Sequence, residues 1–361
     1  MKIAFFIARH SHSGVPLAQI RLAKALRRRG YEVEFVIGYV PSDVTEPVID
    51  GIDVINLNQP RTYKTLFSII SYLRKSKPGV IFSAEDHLNA IVTLAVLVTR
   101  SKAKLGTSSR VTPYDTYSNN VLTKRWVLKQ INKVLWRRVD ALVCVSKDMV
   151  KQYQAIFGAT KYQCIYNVVV DSDIYDKMAV PVDDPWLNDT STPLIITAGR
   201  LAPEKGFPDL INAMTLLRDS AAARLVILGE GPLRNELEAL IEEQGLTNSV
   251  RLLGFQENPY KYLSKANVFV LSSYAEGLPN VLVEAMACGL TPVSTNCPTG
   301  PEEVLKNGKC GYLVPVHDPA AMAKAIQKAL ENPIRPEHIR EAIEPFTEER
   351  VIKRHQSVLE F

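Results

Sequence analysis

The 361-residue sequence has no long hydrophobic run. Its longest, about ten residues from Ala90 to Thr99, is half of the roughly 20 that a membrane-crossing helix needs. The apolar start MKIAFFIARH is broken by Arg9 and His10 before the core of a secretion signal could form, so the chain is expected to be cytoplasmic. Cysteine is scarce. The five residues Cys144, Cys164, Cys288, Cys297 and Cys310 are odd in number and never form a C-x-x-C pair, which argues against a disulfide framework and a zinc ribbon. Repeats of solenoid period and low-complexity tracts are missing. So is a complete G-x-G-x-x-G: Gly229-Glu230-Gly231 lacks the third glycine and SHSGVP near the start has none of the pattern, which disfavours a nicotinamide enzyme.

The length is enough for about two domains, each able to bury a core without staples. Net charge is only +5, but it is unevenly placed. Residues 1–170 hold 25 Lys/Arg against 11 Asp/Glu, and residues 171–361 hold 18 against 27. Two halves with different partners would look like this.

Strand-like apolar runs alternate with amphipathic stretches throughout. KIAFFIA, YEVEFVIGYV, VINL, VIFSA, LGTSS, ALVCVS and QCIYN lie in the first half, with helical patterns between most of them. Asp171 to Pro193 loses the rhythm and concentrates Asp, Pro, Ser and Thr, as a linker does. The alternation then restarts with PLIITAGR, RLVILGEG, VRLLG, NVFVLSS and TPVST. The expected architecture is α/β: two Rossmann-like, doubly wound domains facing a central cleft. We place an N-terminal domain at 1–170, a linker at 171–193, a C-terminal domain at 194–343, and a last helix at 344–361 that can pack back on the N-terminal domain. Ligands are expected at the carboxyl ends of the strands, in the cleft.

After the strand PLIITA, the segment Gly199-Arg200-Leu201-Ala202-Pro203-Glu204-Lys205-Gly206 puts two cations five residues apart on one loop. A planar guanidinium and a compact ammonium suit a diphosphate that gains charge as it leaves; a merely solvated loop is the alternative. Downstream, Glu276-Gly277-Leu278-Pro279-Asn280-Val281-Leu282-Val283-Glu284 brackets a helix start with two carboxylates. The helix N-terminus would offer N–H groups of Leu278 and Asn280 to phosphate, and the carboxylates would accept from sugar and ribose hydroxyls. For either glutamate alone, a capping or surface role is sufficient.

In order and spacing, GRLAPEKG, LVILGEGP, VRLLGF, EGLPNVLVEAMACGLTPVST and GPEEVLKNGKCGYLVP resemble the C-terminal domain of glycosyltransferase family 4, retaining enzymes of the GT-B fold. The resemblance covers nearly all of residues 194–330; the first half matches more loosely. It implies that Arg200 and Lys205 bind the nucleotide diphosphate, Glu276 the 3- and 4-hydroxyl region of the donor sugar, and Glu284 the ribose. It also implies a metal-independent reaction with no cofactor, the nucleotide sugar being a co-substrate. The ending NCPTGPEE is similar to members using UDP-linked hexoses or N-acetylhexosamines. Two places depart from the family pattern. Ser13-Gly14-Val15 stands where a glycine pair is usual, with Gly14 kept as the donor-site position, and Thr107-Ser108-Ser109-Arg110 stands where many relatives have a histidine. Arg110 is therefore an active-site candidate, with a surface arginine as the alternative.

Other signals have plainer readings. Asp171-Ser172-Asp173 is a D-x-D in the linker, away from the diphosphate loop, and His10 and His12 lack the further ligand that a zinc site needs. The helical segment Lys124 to Arg138 mixes cations with Trp126, Trp136 and aliphatics, which suits an anionic membrane on the inner face, a solvated helix with a buried stripe, or RNA; no recognition module accompanies the charge, so nucleic acid is not expected. The partners read from the sequence are thus a nucleotide-sugar donor, a glycan or glycolipid acceptor and an anionic membrane surface. A nucleotide-sugar epimerase, or a two-lobed sugar-binding protein without catalysis, are the rival readings, the first separable by incubating the donor alone.

Overall fold

Continuous apolar runs such as IAFFI and VFVL become strands buried on both faces, as parallel sheets covered by helices require. The computed structural model describes residues 1–11, 14–42, 44–121, 123–158, 161–218 and 222–361. His12 and Ser13 of the early loop therefore lie outside the described residues. The chain divides into two units, Met1–Val169 with Phe346–Phe361, and Val170–Pro345.

The first unit runs β1 (Lys2–Arg9), α1 (Gly14–Arg28), β2 (Glu32–Tyr39), β3 (Asp53–Asn56), α2 (Leu66–Ser76), β4 (Val80–Ala84), α3 (Asp86–Thr99), β5 (Lys104–Ser109), α4 (Pro113–Thr116), α5 (Lys124–Leu135), β6 (Ala141–Cys144), α6 (Lys147–Phe157) and β7 (Tyr162–Cys164). Its sheet has the order β3-β2-β1-β4-β5-β6-β7, every pairing parallel. Phe5 stacks between Phe35 and Phe82 on adjacent strands, with ring centroids 6.0 and 4.9 Å away.

The second unit runs α7 (Asp173–Ala179), α8 (Pro185–Asn188), β8 (Leu194–Ala198), α9 (Phe207–Arg218), β9 (Arg224–Leu228), α10 (Arg234–Glu243), β10 (Val250–Gly254), α11 (Tyr260–Leu263), β11 (Val268–Leu271), α12 (Asn280–Ala287), β12 (Thr291–Thr295), α13 (Pro301–Val304), β13 (Tyr312–Val314), α14 (Pro319–Glu331) and α15 (Pro336–Ile343). Its strands lie in the order β10-β9-β8-β11-β12-β13, again all parallel. In both sheets the strand order reverses once, at β1/β4 and at β8/β11, and such switch points open a crevice at the carboxyl ends.

The last helix, α16 (Glu348–Leu359), belongs to the first unit. It buries Val351, Ile352 and Leu359 in that unit's core, and Gly106 on β5 leaves room for Leu359, whose Cδ1 would lie 3.0 Å from an added Cβ. His355 lies edge-on to Phe82 with 5.1 Å between centroids.

Two expectations change here. The stretch 171–193, expected as a linker, forms α7 and α8 and falls in the second unit, tied to it where Asn258 Nδ2 donates to the Lys177 carbonyl at 2.9 Å and Arg224 Nη2 to the Thr192 carbonyl at 3.0 Å. Within it Asp184 caps α8 through the Trp186 N–H, and Asp171 Oδ1 accepts from the Asp173 N–H in a local turn. That turn accounts for the D-x-D. Trp136 is not a surface residue either. α5 ends one residue before it, and the indole is 6% exposed among Tyr117, Tyr153, Phe157 and Tyr162.

Candidate functional site

The residues predicted to act on a donor meet where the second sheet changes direction. Lys205 lies on the loop after β8 and Glu276 on the loop after β11, and these two strands are hydrogen-bonded neighbours. A separation of 71 residues therefore closes to a direct contact, with Lys205 Nζ donating to Glu276 Oε1 at 2.6 Å. The pair is sheltered, its side chains 23% and 10% exposed.

Glycine makes this approach possible. Gly206 has φ +62, and a Cβ there would sit 2.1 Å from the Ser272 carbonyl oxygen. The two loops are then tied together: Ser272 Oγ donates to the Lys205 carbonyl at 2.7 Å, and the Tyr274 N–H to the Glu204 carbonyl at 2.8 Å. Glu276 is held from both ends. Ser273 Oγ donates to its Oε1 at 2.6 Å, and Thr299 Oγ1 donates to its main-chain carbonyl. Thr299 itself has φ +65, an uncommon backbone state for a β-branched residue, and neighbouring Gly300 at φ +95 packs against Pro279. Tyr274 OH donates to Asp209 Oδ2 at 2.9 Å; partial burial first, then that hydrogen bond, push the phenol up to about 12.

Not every predicted residue joins this pair. Arg200 is exposed and donates from Nη2 to Glu204 Oε1 at 2.7 Å, one helical spacing along its own loop. Glu284 is half-buried about one turn into α12, where burial and then its charge raise the nearby Cys288 thiol to about 12. The Asn280 N–H donates to the Leu278 carbonyl at 2.9 Å across Pro279, whose φ −76, ψ 80 bends the chain just before α12. Leu278 is buried beneath the loop.

Gly229 and Gly231, read as a fragment of a dinucleotide fingerprint, serve packing. Their added Cβ atoms would lie 1.9 Å from the Gly199 oxygen and 2.5 Å from the Leu201 oxygen, so only glycine lets the loop after β9 lie on the cationic loop. The Leu201 N–H donates to the Glu230 carbonyl at 2.9 Å, fixing the contact.

Gly14 and Arg110 belong to the first unit, Gly14 opening α1 and Arg110 following β5. Arg110 is a half-buried guanidinium: Nη1 donates to Asn167 Oδ1, Nε has no hydrogen-bond partner among the described residues, and burial pushes its pKa down to about 10 against the opposing pull of Glu85. Glu85 ends β4 with φ +79, and burial raises its carboxyl. Beneath them the buried Asp86 accepts from Ser109 Oγ at 2.6 Å and from the Tyr117 and Tyr153 hydroxyls at 2.7 Å each. Sequence reasoning passed over Ser273, Thr299, Glu85 and Asp86. For Ser273 a signal was available, a hydroxyl three residues before a candidate carboxylate; for Asp86 none was, since its three hydroxyl partners come from distant elements.

Against known families, the Glycosyl transferases group 1 profile matches residues 183–345 and the Glycosyl transferase 4-like domain profile residues 13–167. The chain belongs to glycosyltransferase family 4. Its fold is GT-B, similar to the structure of Anabaena HepE in complex with UDP at a TM-score of 0.80, 19% identity and complete coverage of both chains. Among curated relatives, an uncharacterized glycosyltransferase of Methanocaldococcus jannaschii is 30% identical over 254 residues, 68% of this chain and 61% of that protein. The N-acetylgalactosamine-N,N'-diacetylbacillosaminyl-diphospho-undecaprenol 4-alpha-N-acetylgalactosaminyltransferase of Campylobacter jejuni is 33% identical over 234 residues, 64% of this chain and 62% of that protein. The matched part is thus about three fifths of the length of these relatives.

Proposed function

We propose that this family 4 chain transfers a hexose or N-acetylhexosamine from a UDP-linked donor to a hydroxyl of a lipid-linked or surface-polysaccharide glycan, with retention of anomeric configuration and without a divalent metal. The Lys205–Glu276 contact carries the reading, because it joins a cation suited to phosphate and a carboxylate suited to sugar hydroxyls at one switch point. On donor binding Lys205 exchanges the carboxylate for a diphosphate oxygen, and Arg200 swings from Glu204 to the same group. Both then offset the charge that develops as the glycosidic bond breaks through an oxocarbenium-like transition state. Glu276, released from Lys205 but still held by Ser273, accepts hydrogen bonds from the sugar hydroxyls. Glu284 takes the ribose. The acceptor hydroxyl attacks from the face the diphosphate leaves, and a departing phosphate oxygen receives its proton. Two cations on one loop take the part that a divalent ion would otherwise play.

The lipid-linked acceptor is supported by the Campylobacter relative, whose name specifies a diphospho-undecaprenol substrate, and UDP by the ligand named in the HepE structure. A cytoplasmic protein on the inner, anionic face of a membrane fits that acceptor and the basic first half. The test is a thermal-shift screen of nucleotide sugars, in which a ligand at 100 times its dissociation constant adds about 2.7 kcal/mol of stability. Incubation of the best binder with short lipid-linked glycans in the presence of a chelator follows, and NMR reads the configuration of the new linkage. Conversion of the donor alone to an isomer would instead identify an epimerase, and binding without turnover a sugar-binding protein.

A further inference from the structure

We propose that the outer face of α2, α3 and α5 in the first unit docks on an anionic lipid bilayer through an aliphatic stripe ringed by cations; this gives a surface to the membrane-linked acceptor reading on which it rests.

The three helices pack side by side, α2 on α3 and α3 on α5. α5 turns Asn132 inward, where its amide donates to the Tyr117 hydroxyl at 2.9 Å. The same helix turns Val127, Ile131 and Val134 outward, spaced by four and three residues and so aligned along one face. Phe67 on α2 is 80% exposed, and Leu97 and Val98 near the end of α3 are exposed too. Single exposed aliphatics are ordinary, but a stripe kept over two turns on a helix packed against others that also expose apolar groups marks an interaction surface.

Charge selects the occupant. From Arg61 to Arg138 the chain has 15 Lys/Arg and 3 Asp/Glu, and of those three Asp86 is buried beneath its hydroxyl partners. Lys124 and Lys133 lie on α5 itself, Arg74 and Lys75 at the end of α2, and Arg100 and Lys102 just after α3. A nucleic acid would take the cations and leave the aliphatics wet. An anionic bilayer takes both, the stripe entering the acyl boundary and the cations meeting headgroup phosphates. Trp136 is packed inside the unit and Trp126 is half-buried, so the groups that α5 exposes most are aliphatic.

The full chain is sedimented with vesicles of phosphatidylcholine alone and of phosphatidylcholine mixed with phosphatidylglycerol, at about 0.1 M and about 1 M salt, where the Debye length falls from about 10 to about 3 Å. Binding is expected only with phosphatidylglycerol and weaker at high salt. The V127S/I131S/V134S variant, altered only at exposed positions, should lose about tenfold or more of its partitioning at both salt concentrations. Phe67→Ser provides a second, independent variant, and thermal unfolding and UDP titration confirm that each remains folded. The inference is overturned if the wild-type chain does not bind phosphatidylglycerol vesicles, or if folded aliphatic variants bind as the wild type does. Intact UDP binding and transfer in either case would leave the transferase reading standing.

Discussion

Glu276→Gln should tighten the binding of free UDP while abolishing transfer. In the ligand-free chain Lys205 is already engaged, its ammonium 2.6 Å from Glu276 Oε1 in a site where the two side chains are 23% and 10% exposed. Two unit charges about 4 Å apart attract by about 4 kcal/mol at an effective dielectric of 20. Desolvation of both groups offsets most of that, leaving a net value of about 0.5–1.5 kcal/mol. UDP must displace this contact to reach Lys205. Removing the charge while keeping the shape, and an oxygen that still accepts from Ser273, should return that net value as about 2- to 10-fold tighter UDP. Lys205→Ala should act oppositely, losing a charge-assisted hydrogen bond of about 1.5–3 kcal/mol and so weakening UDP about 10- to 150-fold. Calorimetry with UDP on both variants and on the double variant measures the coupling directly. A tenfold loss of UDP affinity in Glu276→Gln would refute the reasoning, since it would make Glu276 a UDP contact rather than a competitor for Lys205.

Three further outcomes follow from the same geometry. Glu284→Ala should weaken UDP about tenfold or more, the loss of a hydrogen bond to a charged acceptor, and leave a 2′,3′-dideoxy analogue of UDP unaffected in the same titration; an equal loss for both ligands removes Glu284 from the ribose. Gly206→Ala forces a side chain into the left-handed backbone region and against the Ser272 carbonyl, so at least about 2 kcal/mol of stability should go, about 4–8 °C in Tm for a unit of this size, together with turnover; a Tm within a degree of wild type would show that the loops do not need this approach. Buried His355, its Nδ1 unpartnered, is held neutral by burial and by Arg110, down to about 3. The unfolded chain takes up a proton below about 6.5 and the folded one does not, so this stability is complete above 6.5 and falls with pH, by about 2 kcal/mol at pH 5. Urea midpoints at pH 7.5 and 5 should therefore diverge less for His355→Gln than for the wild type, and equal divergence would place the acid sensitivity elsewhere.

The second half was easier to read than the first because its functional residues sit on loops whose sequence spells their geometry. Strand, glycine, cation, cation, glycine is a linear record of a strand end and a close approach, and Gly206 against the Ser272 carbonyl bears out the second of these. Arg110 is different. Its environment is made by Glu85 from the end of β4 and Asn167 from beyond β7, and nothing in Thr107-Ser108-Ser109-Arg110 says that a guanidinium there will lose its solvent. Trp136 follows the buried-stripe reading of its segment: it lies four residues past the inward-facing Asn132, so helical spacing carries it to the same face and into the aromatic core.

Composition also explains why the site residues could be named while their connections could not. Carboxylates and cations stand out against a chain that is 22% charged, so Glu276 and Lys205 are conspicuous. The hydroxyls that fix them are not, for Ser and Thr occur in every loop. Yet Ser272, Ser273, Thr295 and Thr299 tie the loop after β11 to its neighbours: Ser272 to the Lys205 carbonyl, Thr295 to the Ser273 carbonyl at 2.5 Å, Ser273 and Thr299 to Glu276. Each bond is worth about 1 kcal/mol by itself. Together they hold one carboxylate oxygen against one ammonium, and in the proposed transfer that placement matters more than the presence of either charge.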